Sequence, residues 1–373
     1  MLFKIIKLII FLVIARHVHK MIMLMGFHIT VWNHWPGPCR TVPPIEHGAE
    51  DVGLTKSGLA VVTSGCDISY RGEITDPRMS EAEGKLYAFD FNKPDKNAVE
   101  LKFKADFDFV PQGISVWETE SAIHFFVVNH RKEGDTVEIF KLKGTVAEPV
   151  VEHLQSVKDP LFTSLNDVIA TGFDSFYATN DGYFRFSSLR VFERLLNLPW
   201  GSVVHFDGQK TRTVLGKTFE YNGMDMSSDG RFVFIASPFV SSSITIYERS
   251  AETNDLTFHQ EVVVGNLIDN IFYNPETGDL WCGCAPKAHR MLEAFMNVDV
   301  WAPSFVLRVR PLGPKDRPFE TYKVYDVFSD DGNLLSSSAS ATVKGNHLLI
   351  GSIHQKMAYC EMKSETTIPR DIY

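Results

Sequence analysis

Short apolar or alternating segments, separated by turn signals such as Asp229-Gly230 and PETGD, follow one another along most of the chain. Segments of this length that are rich in β-branched and aromatic residues are typical of β-strands. They occur as six pairs, at residues 58–64 and 85–91, 123–129 and 137–141, 175–180 and 203–207, 231–237 and 244–248, 279–284 and 306–310, and 347–352 and 357–361. Recurrence at a roughly constant interval predicts six repeats of one structural unit.

The repeats predict how the core is built. A pair of strands cannot bury both of its faces, whereas a ring of small sheets packed face to face can, and closure of the ring protects the sheet edges. We therefore predict an all-β fold, a six-bladed β-propeller that occupies residues 35–373 as one domain.

Two stretches outside the strand pattern, residues 187–200 and 286–301, predict short helices on one rim of the ring. Apolar residues at helical spacing support this, namely Leu189, Phe192, Leu195 and Leu196 in the first stretch and Met291, Leu292 and Phe295 in the second. The apolar face of the first helix either packs on the propeller or rests on a lipid bilayer. Both alternatives remain open at this point.

The first 34 residues differ in kind from the rest. Lys4 and Lys7 precede an apolar run at residues 8–15, as in a secretory signal, but this run is shorter than the ~20 residues that span a bilayer. A second apolar patch, residues 21–27, follows the basic stretch 16–20. A cleaved signal, an uncleaved hydrophobic signal-anchor helix and an interfacial helix are all compatible with this pattern. Each predicts entry into the secretory pathway, with the protein anchored to the endoplasmic reticulum or cell-surface membrane, or secreted.

Five cysteines need an explanation in an oxidising compartment. Cys39 lies at the start of the predicted propeller, ahead of its first predicted strand, and Cys360 lies near its end, so a bridge between them would tie the termini together and close the ring. Cys282 and Cys284 alternate along one predicted strand, which favours packed small hydrophobic residues over a metal or redox pair. Cys66 remains.

The charge of the chain restricts its partners. A formal net charge of -9, without a block rich in lysine or arginine in the folded part, argues against a nucleic-acid surface. The excess of acids is compatible with divalent cations.

Short polar residues recur upstream of the first strand in each repeat. These positions are Glu50-Asp51, Gln112, Asn166-Asp167, Asn222, Asp269-Asn270 and Ser337-Ser338. Asn and Asp before a strand often only form turns, but in a propeller the equivalent innermost positions converge on the axis. Four acids and the three asparagines would meet there, and the acids would repel one another unless a cation were present. Oxygen-only ligands predict calcium, and seven candidates allow two ions.

Eight separated motifs resemble the paraoxonase/arylesterase family, in order, over residues 39–361: GAEDVGL, PQGIS, VVNH, LNDVIATG, FYATNDGYF, YNGMDMSSDGRFVFIA, DNIFYNPETGDLWCGC and AYCEM. The chain is similar in particular to the nematode paraoxonase-like membrane proteins that assist degenerin channels. The resemblance implies a six-bladed propeller with two axial calcium ions and an end-to-end disulfide, here Cys39–Cys360. It also implies hydrolysis of small apolar lactones and aryl esters.

The resemblance assigns ligands to each ion. The exposed, catalytic ion would take Glu50, Asn166, Asn222, Asp269 and Asn270. The deeper, structural ion would take Asp51, Asp167 and the main-chain carbonyl of Ile114.

The catalytic machinery departs from the family pattern. Gln112 replaces the family's proposed histidine base, and glutamine cannot take a proton from water. His130, the supporting histidine, is kept, and it serves either catalysis or structure. Gly182 replaces another histidine, and Glu220 stands where the family has an aromatic residue. Two functions therefore remain open: a weakened calcium-dependent esterase or lactonase, and a non-catalytic, membrane-anchored chaperone or accessory subunit of an ion channel.

Overall fold

Six antiparallel sheets form a ring, and the predicted six-bladed propeller is confirmed. A computed structural model describes residues 2–67, 69, 75–144, 148–184, 187–196, 198–238, 242–353, 355–363 and 367–370. The side chain of Leu195, one of the predicted helix positions, lies outside the described part.

Each blade follows the chain from its inner strand outwards. Blade 1 contains β2 (Val52–Leu54), β3 (Leu59–Ser64), β4 (Lys85–Asp90) and β5 (Val99–Glu100). Blade 2 contains β6 (Pro111–Glu118), β7 (Ile123–Arg131), β8 (Gly134–Gly144) and β9 (Pro149–Val157). Blade 3 contains β10 (Leu165–Ala170), β11 (Phe176–Asn180), β12 (Gly201–Phe206) and β13 (Thr211–Thr218).

The second half of the ring repeats this order. Blade 4 contains β14 (Met224–Met226), β15 (Phe232–Ser237), β16 (Ser243–Arg249) and β17 (Leu256–Val263). Blade 5 contains β18 (Leu267–Tyr273), β19 (Leu280–Ala285), β20 (Ser304–Pro311) and β21 (Tyr322–Asp330), with β25 (Ile368–Pro369) added at its outer edge. Blade 6 contains β22 (Ser338–Lys344), β23 (His347–Ser352) and β24 (Met357–Glu361).

The N-terminal strand closes the ring. β1 (Cys39–Thr41) pairs antiparallel with β24 and completes blade 6, with Cys39 directly opposite Cys360. The two cysteines form a disulfide whose Cα atoms lie 4.1 Å apart. The predicted covalent clasp between the two ends of the propeller is therefore confirmed.

The hydrophobic core lies between blades. One cluster of buried side chains joins blades 4 and 5, where Phe234 and Ile246 pack with Leu307, and comparable clusters join each other pair of neighbouring blades. Cys282 and Cys284 are fully buried in the cluster between blades 4 and 5. Their predicted role as packed hydrophobic residues is confirmed.

Among the described residues, three α-helices accompany the propeller: α1 (Leu2–Leu24), α2 (Ser187–Leu195) and α3 (Ala288–Met296). A 3-10 helix also covers Pro77–Glu81. The side chains of α1 are exposed up to Arg16 and partly covered only towards its C-terminal end. In the part of the chain that the structure describes, no helix has both the length and the apolar character required to cross a membrane.

Candidate metal centre and active site

β-Bulges position the polar residues at the centre of the propeller. Register shifts interrupt the pairing of β6, β10, β18 and β22 with their neighbours. Residues in a bulge leave the regular hydrogen-bond ladder, and their side chains are re-aimed. Gln112, Asn166-Asp167 and Asp269-Asn270 all lie within these shifts, so the backbone directs them differently from their strand neighbours.

The polar residues of distant blades meet at the axis. Asn270 Nδ2 of blade 5 donates to the main-chain oxygen of Glu50 at 3.0 Å and to Glu50 Oε1 at 3.2 Å. Gln112 Nε2 of blade 2 donates to the same Oε1 atom at 3.3 Å. The structure therefore brings together side chains that the sequence separates by up to 220 residues.

Several oxygen atoms at this place lack a hydrogen-bond partner among the described residues. They are Glu50 Oε2, Asn166 Oδ1, Asn222 Oδ1 and Asn270 Oδ1, and the hydroxyl of Ser337 in blade 6 is also unpaired. All five atoms are buried. A buried oxygen without a partner costs ~1–3 kcal/mol, so an arrangement of this kind fits a bound cation that accepts oxygen ligands.

A second set of carboxylates joins neighbouring blades. Asp51 accepts from the amides of Val52 at 2.8 Å and Ile114 at 2.9 Å, and so links blade 1 to blade 2. Asp167 accepts from the amides of Val168 at 2.7 Å and Met224 at 2.6 Å, and so links blade 3 to blade 4.

Asp225 is a further member of this set that the sequence analysis missed. It accepts from the amides of Met226 at 2.7 Å and Tyr273 at 2.6 Å, which links blade 4 to blade 5. Its position three residues after Asn222, between two methionines, was the available signal.

Burial and mutual repulsion shift the titration of these acids. Burial, followed by the charges of Asp269 and Asp51, raises the pKa of Glu50 well above its usual value. Burial raises the pKa of Asp51 to about 6. For Asp167, burial and then the charge of Asp51 raise the pKa well above its ordinary value. Without a cation the protein therefore disfavours the ionised acids at the axis.

The donor atoms are mixed in kind. In the described ranges no group of three or more His, Cys, Asp or Glu side chains has an arrangement that could hold a metal ion. The oxygens that converge here come from both carboxylates and amides, which is the donor chemistry of calcium rather than of zinc.

Gln112 connects the metal-site candidates to a buried histidine. Its amide nitrogen faces Glu50, so its carbonyl oxygen faces His130 Nε2, at 2.6 Å. Because a carbonyl oxygen only accepts, His130 Nε2 carries a hydrogen and offers no lone pair at that position. On its other side His130 Nδ1 lies 2.9 Å from Asp135 Oδ1. Asp135 is not among the residues predicted from the sequence, and its second oxygen accepts from the amide of Leu165.

A cavity of about 370 Å³ opens above these residues. Glu50, Gln112, Asn166, Asn222 and Asp269 line its floor side, and residues of all three helices complete its walls. Mostly apolar walls with a few convergent polar groups are typical of small-molecule sites.

The sequence of the chain matches the arylesterase family over residues 35–362. The chain belongs to the arylesterase family. It is 35% identical over 331 residues to serum paraoxonase/arylesterase 1 of Homo sapiens, covering 87% of this chain and 88% of the relative. It is 32% identical over 328 residues to serum paraoxonase/arylesterase 2 of Gallus gallus, with 87% and 88% covered. A luciferin-regenerating enzyme of known structure shares the fold with a TM-score of 0.51 at 10% identity, over 87% of this chain and 94% of that one.

One wall of the cavity is held by ion pairs of α2. Arg190 of α2 is 1% exposed and pairs with Asp181, and its Nη1 donates to Ser164 Oγ at 2.6 Å. Arg194 Nε donates to Glu220 Oε1 at 2.9 Å. Glu220 therefore lines the cavity as the partner of an arginine.

Gly182 lies against α2, next to Glu193. A Cβ atom at Gly182 would lie 3.1 Å from Glu193 Oε1. The Glu193 carboxylate accepts from the amide of Tyr183 at 3.0 Å and from that of Phe184 at 3.2 Å. A residue larger than glycine here would press on the helix-anchoring carboxylate.

The polarity of α2 is the reverse of that of an ordinary surface helix. Its charged residues Arg190 and Glu193 are buried, whereas Leu189 and Phe192 are 42% and 53% exposed. Leu196, just after the helix, is 50% exposed. The alternative in which this apolar stripe packs on the propeller is therefore wrong.

Proposed function

We propose that this member of the arylesterase family is a calcium-dependent hydrolase of lactones and aryl esters in which water activation is weakened. The observation that carries the proposal is the set of unpaired buried oxygens of Glu50, Asn166 and Asn222 on the floor of a mostly apolar cavity. The unpaired oxygen of Asn270, whose amide nitrogen donates to Glu50, adds to this set. Family membership supplies the reaction class.

Two calcium ions would bind at the axis, each to its own set of oxygens. The first would be held by Glu50, Asn166, Asn222, Asp269 and Asn270, and the second by Asp51, Asp167 and the main-chain carbonyl of Ile114. A calcium ion at the first position would polarise an ester carbonyl and stabilise the charge that develops on its oxygen.

The residues of the chain itself position the substrate but supply little base. The apolar walls formed by Leu267, Met291 and Phe295 would bind the acyl or aryl part and exclude water. Gln112 would orient a water molecule through its amide without taking a proton. His130 cannot replace it through Nε2, because that nitrogen donates to Gln112. A positioned general base contributes ~10²–10⁴-fold to rate, so the wild-type rate should be low.

The test is hydrolysis of a lactone and of phenyl acetate by the purified full chain, in calcium and in excess EGTA. We expect weak activity that EGTA abolishes, and at least about a tenfold increase in Gln112→His, since the histidine restores a base. Gln209→His, an exposed change, is the matched control. Activity that survives EGTA would contradict a calcium mechanism, and equal rates in wild type and Gln112→His would place the base elsewhere.

A second candidate function follows from Gln112 together with the exposed apolar surfaces. If neither wild type nor Gln112→His hydrolyses any ester, we infer a non-catalytic chaperone or accessory subunit of a membrane channel, in which calcium only stabilises the propeller.

We further propose that the protein enters the secretory pathway and stays on a membrane. Leu8, Phe11 and Leu12 of α1 are more than half exposed, and so is Phe192 of α2. Apolar side chains of this size each contribute ~1.5–3 kcal/mol when they leave water, which is enough to hold the rim of the propeller against lipid. Membranes that contain the full-length chain would be washed with alkaline carbonate. Retention of the chain on the membranes would support this location, and its release into the soluble fraction would contradict it.

A further inference from the structure

The last two turns of α1 form part of the cavity wall. His17, Lys20, Met21, Leu24 and Met25 line the same cavity as the axial oxygens. The preceding turns of the helix contact little else and are exposed. An N-terminal segment that looks like a targeting or anchoring element therefore also contributes side chains to the candidate active site.

Contacts with α3 fix this end of the helix. The main-chain oxygen of Met25 accepts from His289 Nδ1 at 2.6 Å, and the Phe27 ring stacks on the His289 ring at 4.3 Å. Gly26 has a φ angle of +71°, and a Cβ atom there would lie 2.4 Å from the oxygen of Pro286. Only glycine permits both this conformation and this approach, so α1 is held at a defined place.

Among the described residues that line the cavity, the charged groups other than Lys20 are paired or belong to the proposed calcium ligands. Asp181 pairs with Arg190, and Arg194 pairs with Glu220. Glu50 and Asp269 belong to the calcium ligands proposed above. Lys20 is half-buried and has neither a hydrogen bond nor an ion pair with any of the described residues.

The ammonium group of Lys20 therefore lacks a counterion in a partly dry place. Burial and then the nearby charge of Arg16 lower the pKa of Lys20. An anionic group on a bound molecule would replace the water that the lysine has lost, and a charge-assisted hydrogen bond of this kind is stronger than a neutral one.

We propose that Lys20 is a specificity-determining residue that selects esters or lactones carrying a second, carboxylate group remote from the bond that is cleaved. This inference rests on the proposed hydrolase function and names its substrate class. The reacting carbonyl would lie at the axial oxygens on the floor, and the remote carboxylate would bind Lys20 on the wall formed by α1.

The test uses two matched esters and the full chain in calcium. Mono-para-nitrophenyl adipate ends in a carboxylate, whereas para-nitrophenyl hexanoate has the same chain length and ends in a methyl group. We expect Lys20→Ala to lower kcat/KM for the adipate about tenfold, since a hydrogen bond to a charged group is lost, and to change that for the hexanoate less than about twofold. Lys20→Glu should discriminate further against the adipate, and Lys20→Arg should retain the preference.

Lys7→Glu is the control, because Lys7 lies on the same helix but is exposed and far from the cavity lining. It should leave both rates unchanged. Added salt should reduce the adipate preference of wild type and leave the hexanoate rate nearly constant. Equal effects of Lys20→Ala on the two esters, or none on either, would overturn the inference.

Failure of the hydrolase function gives a different result. If wild type cleaves neither ester, the role of Lys20 is tested by binding. Calorimetry then compares the affinities of the corresponding anilides, adipic acid mono-anilide and hexananilide, whose amide bonds resist cleavage. Tighter binding of the charged anilide that Lys20→Ala removes would support the role of Lys20. Absence of that preference in wild type would refute it.

Discussion

Replacement of Asn222 by leucine should have opposite effects with and without calcium. Asn222 Oδ1 is buried and unpaired, and its side chain makes no hydrogen bond within the described residues. In EGTA, the Asn222→Leu change removes an unsatisfied oxygen at similar volume. Such an oxygen costs ~1–3 kcal/mol, so the free energy of unfolding should stay constant or rise. In calcium the variant lacks a ligand and should lose the stabilisation that the ion gives to wild type.

Asn180 is the matched control, since it is also buried but fully satisfied. Its Oδ1 accepts from the amides of Thr163 at 2.9 Å and Ser164 at 3.1 Å, and its Nδ2 donates to Leu161 and Ser202, each at 2.9 Å. Asn180→Leu leaves these groups without partners, which should cost about 3 kcal/mol or more in both conditions.

The size of the propeller sets the scale of the measurement. With a melting entropy of ~2.1 cal/mol/K per residue, roughly 330 propeller residues give ~0.7 kcal/mol per degree. Calcium at one hundred times its dissociation constant would add ~2.7 kcal/mol, or ~4 °C in melting temperature, to wild type for each ion.

The assay is thermal unfolding followed by near-ultraviolet circular dichroism, in calcium and in EGTA. We expect Asn222→Leu to melt at or above the wild-type temperature in EGTA and below it in calcium. If Asn222→Leu loses as much stability in EGTA as Asn180→Leu does, then Asn222 is a structural residue and its unpaired oxygen does not mark a cation site.

Three further predictions concern the clasp, the rim and pH. Replacing Cys39 and Cys360 by alanine should lower the free energy of unfolding, because the bridge spans a sequence separation of 321 residues. If the effect is the entropy of closing this loop in the unfolded chain, it amounts to up to ~6 kcal/mol. An unchanged midpoint of urea unfolding would contradict this. Leu189→Ser with Phe192→Ser should weaken binding to phosphatidylcholine vesicles without loss of folding, since both residues are exposed. Phe258→Ser on blade 4 should leave the binding unchanged, and vesicle sedimentation measures both variants. Burial lowers the pKa of His205 to about 4, so between pH 4 and about 6.5 the unfolded chain binds a proton at this histidine more readily than the folded chain does. The free energy of unfolding should therefore rise with pH over this range. His205→Phe should lack this part of the pH profile, and identical profiles of the variant and wild type would refute the assignment.

The predicted strand pairs are the two middle strands of each blade. β3, β15 and β19 are buried along their whole length, so their apolar runs stand out in the sequence. The inner strands β2 and β14 have only three residues each, too few to show a pattern. Their existence follows from packing around the axis, which a linear pattern does not contain.

The polar residues at the axis could be predicted because they recur in each repeat, but their long-range partners could not. Asp135 contacts His130 across the hairpin between β7 and β8, and Arg190 of α2 forms an ion pair with Asp181, which follows β11. The spacing of Leu189 and Phe192 predicts a helix correctly. It does not reveal that buried ion pairs turn this apolar face outwards.

The covalent closure of the ring changes what proteolysis can do to this protein. A protease that cuts after the exposed Lys96, in the turn beyond β4, divides the chain into a segment that contains Cys39 and one that contains Cys360. The disulfide keeps the two segments attached, and the cut leaves every interface between blades in place. A single nick between the two cysteines therefore converts the molecule into a disulfide-linked two-chain propeller. Dissociation requires a second event, either another cut or reduction of the bridge.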